Sequence, residues 1–294
     1  SNRTRFSSLR KLPQKSLPTS FRRFIIMNET LKRALSGAVY VVLLLGCISY
    51  SREGLAILFG AFLVIGVYEF CKMCGLNFYV SIPIAASSYY FFWNKNSDIN
   101  LNTALTAISI VTSIKLLLYL FNANKSNFKI YTRYFLLFGY VILPFILANY
   151  VAMGVKGYNP KILISIIILI WTNDTFAYLV GKNIGKNKLF PSVSPKKTIE
   201  GFAGGLVFTV IVGALLANYY IMASTLYIWI VIAAIVSIFS TLGDLIESKL
   251  KRVAGIKDTG NIMPGHGGIL DRLDSIIFVI PFINLFYLIL YYVS

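Results

Sequence analysis

Long apolar runs limit most strongly what this chain can fold into. Nine runs of 17 to 22 residues are almost free of charge: Ala34–Tyr50, Gly54–Cys71, Leu76–Trp93, Leu101–Phe121, Tyr134–Val155, Ile162–Val180, Phe202–Met222, Ala223–Gly243 and Ile276–Val293. A helix of about 17–25 residues crosses a bilayer. Because 57% of the residues are hydrophobic and only 13% are charged, a soluble globular enzyme is excluded. We predict an all-α fold, a polytopic membrane helix bundle with about nine transmembrane helices.

The distribution of Lys and Arg predicts the orientation and the regions of the chain. With a cytoplasmic N-terminus, sixteen of the bases after residue 26 fall on the inner side and four on the outer side. The Lys and Arg excess of the inner side therefore predicts a cytoplasmic N-terminus. Residues 1–26, which contain seven bases and no acid, are predicted to be a disordered basic leader or extension. An N-terminal transmembrane region would cover 27–133, and a catalytic transmembrane region with cytoplasmic loops would cover 134–294.

Acidic residues are concentrated in one third of the chain. Seven of the eleven lie between positions 174 and 274: Asp174, Glu200, Asp244, Glu247, Asp258, Asp271 and Asp274. Asp174 falls inside a predicted span, where a carboxylate costs about 2.5–3.5 kcal/mol unless a cation, a partner or water meets it. Asp244 with Glu247, and Asp271 with Asp274, have the three-residue spacing that shares one helical face. Hard oxygen ligands beside many Lys and Arg indicate Mg²⁺ with a phosphorylated ligand.

Two polar loops on the predicted inner side favour anion binding. In the second loop, Gly265, Gly267 and Gly268 would let backbone N–H groups approach an anion, and a helix N-terminus follows. His266, the only histidine, is predicted to be a hydrogen-bond donor or a phosphate contact. The first loop, 181–201, is rich in lysine, although a positive-inside anchor would also explain its lysines. Together these features indicate phosphoryl or nucleotidyl transfer to a lipid, with the lipid phosphate as nucleophile.

Three motifs carry a family resemblance. The run Ser248-Lys249-Leu250-Lys251-Arg252, then Lys257-Asp258, then Pro264-Gly265-His266-Gly267-Gly268-Ile269-Leu270-Asp271-Arg272-Leu273-Asp274, closely resembles the signature of phosphatidate cytidylyltransferases, also called CDP-diglyceride synthetases. The stretches 173–178 and 194–201 are similar to further blocks of that family. The resemblance covers roughly residues 135–293.

The resemblance implies an activity and its partners. The reaction would be CTP + phosphatidate → CDP-diacylglycerol + pyrophosphate, a step of phospholipid biosynthesis, with attack in line at the α-phosphorus. It implies Mg²⁺, with a monovalent cation such as K⁺ as an additional ion. It also implies a homodimer in the inner cell membrane, with the active site facing the cytoplasm and no nucleic-acid partner.

The resemblance, charge and placement together assign roles to individual residues. The predicted catalytic residues are Asp244, Asp271, Lys257, His266 and Arg272. The predicted nucleotide-binding residues are Asn173, Asp174, Lys182, Ser194, Lys197, Thr198 and Glu200. Lys251 and Arg252 are predicted to bind the lipid phosphate. The predicted metal ligands are Asp244, Asp271 and Asp274.

Two other functions compete with this one. A CTP-dependent lipid or polyprenol kinase would share the layout but transfer a phosphoryl group. A cation-coupled membrane transporter would also contain intramembrane acids, although such sites lie near the bilayer midplane and these acids cluster towards one side.

Overall fold

A computed structural model describes residues 19–95, 98–122, 128–154, 157–222, 225–262 and 267–293, with the side chains of 19–30, 32 and 33 left out. These residues form nine helices and two short hairpins. The helices are α1 Thr19–Tyr50, α2 Arg52–Cys74, α3 Phe78–Trp93, α4 Ile99–Phe121, α5 Ile130–Val151, α6 Pro160–Ile184, α7 Ile199–Ile221, α8 Leu226–Val253 and α9 Leu270–Val293. The strands are β1 Met153–Gly154, β2 Gly157–Tyr158, β3 Lys188–Phe190 and β4 Ser194–Thr198, paired antiparallel as β1–β2 and β3–β4.

The all-α membrane fold is confirmed. Within the described residues, seven helices are long and apolar enough to cross a membrane: α2 and α4 to α9. The chain is therefore a multi-pass membrane protein. Helix α3 has 16 residues, and the apolar part of α1 is Ala34–Tyr50. The total of nine spans and the cytoplasmic N-terminus stay predictions. Residues 1–18 of the predicted disordered leader lie outside the described part, whereas residues 19–26 belong to α1.

Helices α6 and α8 extend further than hydropathy indicates. Their predicted apolar spans end at Val180 and Gly243, but the helices continue to Ile184 and Val253. In α8 the added segment is rich in Leu, Lys, Glu and Arg, which are good helix formers. In both helices a basic side chain stands in the last turn, where it is favourable; in α6 this is Lys182. Consequently Lys182 and the segment 244–253 lie on helices rather than in loops.

Helix α5 forms the centre of the bundle. Every residue from Leu143 to Val151 is buried, and the segment Leu137–Ile142 is a π-helix. Gly139 allows α4 to approach closely, because a Cβ at this position would collide with the Thr112 side chain; the Ser109 hydroxyl also donates to the Gly139 carbonyl oxygen over 2.8 Å. Helices α6, α7, α8 and α9 pack beside this centre and carry most of the polar side chains of the predicted site.

Two cations hold helix ends together at the end of the bundle that carries these polar side chains. The Lys249 ammonium of α8 donates to the carbonyl oxygens of Tyr119 and Asn122 at the end of α4, over 2.5 and 2.6 Å. The Arg133 guanidinium of α5 donates to the carbonyl oxygen of Cys74 at the end of α2, over 2.6 Å. Cations at helix C-termini satisfy carbonyl groups that lack partners within their own helix.

Candidate active site

A cavity of about 430 Å³ lies between α6, the β3–β4 hairpin, the start of α7 and α8. Four lysines line it, together with two aspartates and several apolar side chains. The polar lining residues are Asn173, Asp174, Tyr178, Lys182, Lys188, Lys196, Lys197, Thr198, Thr241 and Asp244. The cavity therefore combines a surplus of positive charge with carboxylates and apolar wall, and it is large enough for a small ligand.

The hairpin directs Lys197 into this cavity. Lys197 is on β4, one residue before Thr198, whose side chain accepts a hydrogen bond from the Gly201 N–H and caps α7. Its ammonium lies 2.5 Å from Oδ2 of Asp244 on α8. The side chains of Lys197 and Asp244 keep 26% and 36% of their exposure, so this ion pair is accessible to a ligand from the cavity.

Glu200 closes the hairpin instead of lining the cavity. Its carboxylate accepts hydrogen bonds from the backbone N–H of Asn187, over 3.1 Å, and from the side-chain amide of Asn187, over 2.8 Å. Glu200 thus ties the beginning of α7 to the segment before β3. This contact differs from the predicted role of Glu200 in nucleotide binding, and Ser194, at the start of β4, is also absent from the cavity lining.

Asn173 joins α6 to α8 at the wall of the cavity. Its side chain is almost fully buried. The side-chain amide oxygen accepts a hydrogen bond from the Ser237 hydroxyl over 2.6 Å, and the amide NH₂ donates to the hydroxyls of Ser240 and Thr241 over 3.0 and 3.3 Å. Because a buried amide needs such partners, these contacts fix the rotation of α6. The next residue, Asp174, is exposed and lines the cavity.

A second polar cluster lies between α8 and α9. Asp244, Glu247 and Lys251 share one face of α8, since they are spaced by three and four residues. The Lys251 ammonium lies 2.7 Å from Oδ1 of Asp271 on α9 and 3.5 Å from Oε1 of Glu247. Lys251 is 8% exposed, so its ammonium neutralises these carboxylates. This geometry differs from the predicted contact of Lys251 with a lipid phosphate.

Asp271 also holds the loop that precedes α9. Its Oδ2 accepts hydrogen bonds from the Thr259 N–H over 2.8 Å, from the Thr259 hydroxyl over 3.0 Å and from the Gly268 N–H over 2.8 Å. The described groups of this loop, at Thr259 and Gly268, thus donate to a carboxylate of the protein itself, and the predicted binding of a ligand anion stays a prediction.

Glu69 of α2 is a member of this cluster that the sequence analysis did not include. Its carboxylate is 1% exposed and accepts from the Ile269 N–H over 3.1 Å and the Leu270 N–H over 2.9 Å, at the start of α9. The only signal in the sequence is a carboxylate within an apolar span, close to its end, which by itself indicates a buried partner.

The carboxylates of the site outnumber the lysines paired with them. Of the five carboxylates Asp174, Asp244, Glu247, Asp271 and Asp274, three form ion pairs with Lys197 and Lys251, and the charge of Arg272 also acts on Asp174. Neither carboxylate oxygen of Glu247 has a hydrogen-bond partner among the described residues, although both oxygens are buried and the Lys251 ammonium forms an ion pair with Oε1 at 3.5 Å. Surplus carboxylate oxygen of this kind fits a hard divalent cation. However, no three Asp, Glu, His or Cys side chains in the described ranges already lie close enough together to hold a metal, so the ligand set Asp244, Asp271 and Asp274 stays a prediction.

The other predicted residues fall outside the cavity wall. Lys257, Arg252 and Arg272 are exposed, and Arg252 donates to the Ile256 carbonyl oxygen over 3.3 Å. His266 lies in the segment 263–266, outside the described residues, and its predicted role is untested. Of the seven predicted nucleotide-binding residues, five meet at the cavity: Asn173, Asp174, Lys182, Lys197 and Thr198.

Comparison with known proteins gives consistent matches. The sequence model described as the cytidylyltransferase family matches residues 31–290. A phosphatidate cytidylyltransferase of Bacillus subtilis (strain 168) is 31% identical over 272 residues, which cover 87% of this chain and 97% of that protein. A phosphatidate cytidylyltransferase of Staphylococcus aureus (strain COL) is 52% identical over 120 residues, 40% of this chain and 45% of that protein. One of Staphylococcus haemolyticus (strain JCSC1435) is 48% identical over 118 residues, again 40% and 45%.

Proposed function

The chain belongs to the cytidylyltransferase family, and we propose that it transfers the cytidylyl group of CTP to phosphatidate, forming CDP-diacylglycerol and pyrophosphate. It is accordingly an enzyme, a nucleotidyltransferase. Family membership favours this activity over the transporter interpretation, and the phosphoryl-transferring kinase becomes an outcome of the test below.

The observation that carries the proposal is the cavity between α6, the hairpin and α8. A nucleoside triphosphate brings several negative charges, and Lys182, Lys188, Lys196 and Lys197 line the cavity that would receive them. The wall also includes the exposed ring of Tyr178, on a helix that spans the membrane. A charged nucleotide and a membrane lipid could therefore meet at this cavity. Two soluble substrates would not require a cavity wall on a membrane-spanning helix.

The residues of the cavity suit transfer by positioning and charge neutralisation. A phosphatidate oxygen would attack the α-phosphorus of CTP, a new P–O bond would form, and the bond to the β-phosphate would break with release of pyrophosphate. Lysine ammonium groups would stabilise the charge on the phosphates during this exchange. Lys197 would move from Asp244 towards the nucleotide, or bridge the two, because the pair is open to the cavity.

A divalent metal is part of the proposal. Asp244 and Asp271 would hold Mg²⁺, with Asp274 nearby and K⁺ as an additional ion. When bound, the metal would supply further neutralisation of the phosphate charge. The chain itself would keep two carboxylates available to the metal. Asp244 is paired with Lys197 at an accessible position, and Asp271 is oriented by the N–H groups of Thr259 and Gly268 in the loop.

The proposal also includes a location. The lysine excess around the site supports an active site at the cytoplasmic face of the inner cell membrane. The homodimer implied by the family resemblance stays a prediction, which the mass of the detergent-solubilised protein tests.

The test uses the purified chain in detergent with CTP, Mg²⁺ and phosphatidate. With CTP labelled at the α-phosphate, we expect the label in a lipid product and none there with γ-label. Lipid labelled only from the γ-phosphate would establish the kinase instead. A reaction without phosphatidate is the control, and absence of any labelled lipid in the complete reaction would refute the proposal.

A further inference from the structure

Glu69 connects the first half of the chain to the loop before α9. It lies near the end of α2, outside the residues 135–293 that carry the family motifs. In addition to the Ile269 and Leu270 N–H groups, the Thr259 hydroxyl lies 3.1 Å from its Oε2. One buried carboxylate thus reaches both sides of the loop, before and after the segment 263–266.

Two glycines of the loop provide the space for this carboxylate. A methyl group added at Gly260 would collide with Oε1 of Glu69, and its three nearest neighbouring atoms all belong to the Glu69 side chain. A methyl group at Gly268 would collide with both Glu69 oxygens and with the Thr259 hydroxyl. These glycines are therefore required, at least in part, by a protein carboxylate rather than by a substrate.

The same loop groups hold Asp271. Thr259 and Gly268 donate their backbone N–H groups to Oδ2 of Asp271, while the Thr259 hydroxyl lies within hydrogen-bond distance of both carboxylates. The Glu69 carboxylate also accepts a hydrogen bond from the N–H of Leu270, the residue directly before Asp271. A displacement of Glu69 would therefore change the backbone from which the Asp271 side chain projects.

We propose that Glu69 is a positioning residue, which fixes the loop and the first turn of α9 so that the Asp271 carboxylate is correctly aimed. The inference rests on the proposed function for the role of Asp271. It assigns the N-terminal region a part in the site, since α2 supplies the anchor while α8 and α9 supply the carboxylates. The negative charge of Glu69 also complements the positive end of α9.

The first experiment measures the loop directly and needs no activity. In Glu69→Gln, one acceptor oxygen is replaced by an NH₂ group that faces backbone donors. We expect amide hydrogen exchange to become at least about tenfold faster in peptides covering 267–275 and to stay unchanged in the β3–β4 hairpin. Glu53→Gln, at the opposite end of α2, is the matched control. Unchanged exchange in Glu69→Gln would overturn the inference.

The second experiment separates positioning from a general loss of fold. We expect Glu69→Gln to raise the Mg²⁺ concentration for half-maximal activity at least about tenfold, while the KM for phosphatidate stays within about twofold. A variant that is merely less stable would lose kcat through fewer active molecules and would keep the Mg²⁺ requirement. That second pattern would contradict the role of Glu69.

A double variant tests the inference even if the single variants fold poorly. Gly260→Ala alone should reproduce the effects of Glu69→Gln, because its methyl group displaces the carboxylate. In a Glu69→Ala background the methyl group has space, so adding Gly260→Ala should change exchange and Mg²⁺ requirement by less than about twofold. Additive losses would refute the inference. If the wild type forms no liponucleotide, the proposed function fails, and the exchange measurements still decide on Glu69.

Discussion

The buried contact of Lys251 with Asp271 makes a quantitative prediction possible. Lys251 is 8% exposed, and its ammonium lies 2.7 Å from one carboxylate and 3.5 Å from a second, Glu247, that is 2% exposed. Lys251→Met keeps the length and apolar stem of the side chain but removes the charge. Two buried carboxylates then lose their cation, and breaking such a pair costs about 3–5 kcal/mol.

The assay is reversible denaturant unfolding in mixed micelles, which gives the free energy of unfolding. The control is Lys72→Met, at an exposed lysine in the last turn of α2, with an expected loss below about 1 kcal/mol. Asp271→Asn in the Lys251→Met background should recover part of the loss, because it removes one of the carboxylates left without a cation. A loss below about 1 kcal/mol for Lys251→Met, equal to that of an exposed pair, would refute the reasoning.

Three further predictions concern the site. Lys197→Ala should raise the KM for CTP about tenfold, more than the KM for phosphatidate, in steady-state kinetics. The control Lys186→Ala, on the same segment, should change neither KM. A larger rise in the KM for phosphatidate than in the KM for CTP would exchange the two substrate positions. Asp271→Asn should lower Mg²⁺-dependent CTP incorporation at least about 100-fold while the protein stays in the membrane, and normal turnover would show that the metal assignment is wrong. Asn173→Ala should lower the free energy of unfolding by about 1–3 kcal/mol, because three hydroxyls lose their shared partner; an unchanged denaturation midpoint would contradict its role as a clamp.

The parts that sequence could predict are those that depend on local pattern. Apolar runs identified the helices. The family resemblance together with charge grouped Asp174, Lys182 and Lys197, which line one cavity, and their contact with a nucleotide stays a prediction. The ends of α6 and α8 were placed too early, because hydropathy reports where lipid contact ends and not where the helix ends.

Contacts between distant segments could not be predicted in the same way. The hydrogen bond between Glu69 and Leu270 joins positions 201 residues apart, and no spacing rule relates them. Likewise, Gly268 looked suited to a phosphate, since the sequence shows that an anion can approach but not that this anion is the Glu69 carboxylate. The pairing of Lys251 with carboxylates depends on how α8 and α9 face each other, which only packing decides.

The link between α2 and α9 has a consequence for how the chain matures during synthesis. Glu69 enters the bilayer before Ile269 and Leu270, whose N–H groups will donate to its carboxylate, have been translated; Leu270 follows it by 201 residues. The proposed active site is therefore incomplete until α9 has been synthesised, because chains released before that point would lack Asp271 altogether. Under the proposed function, a nascent chain would thus stay inactive towards membrane lipid until α9 has been added.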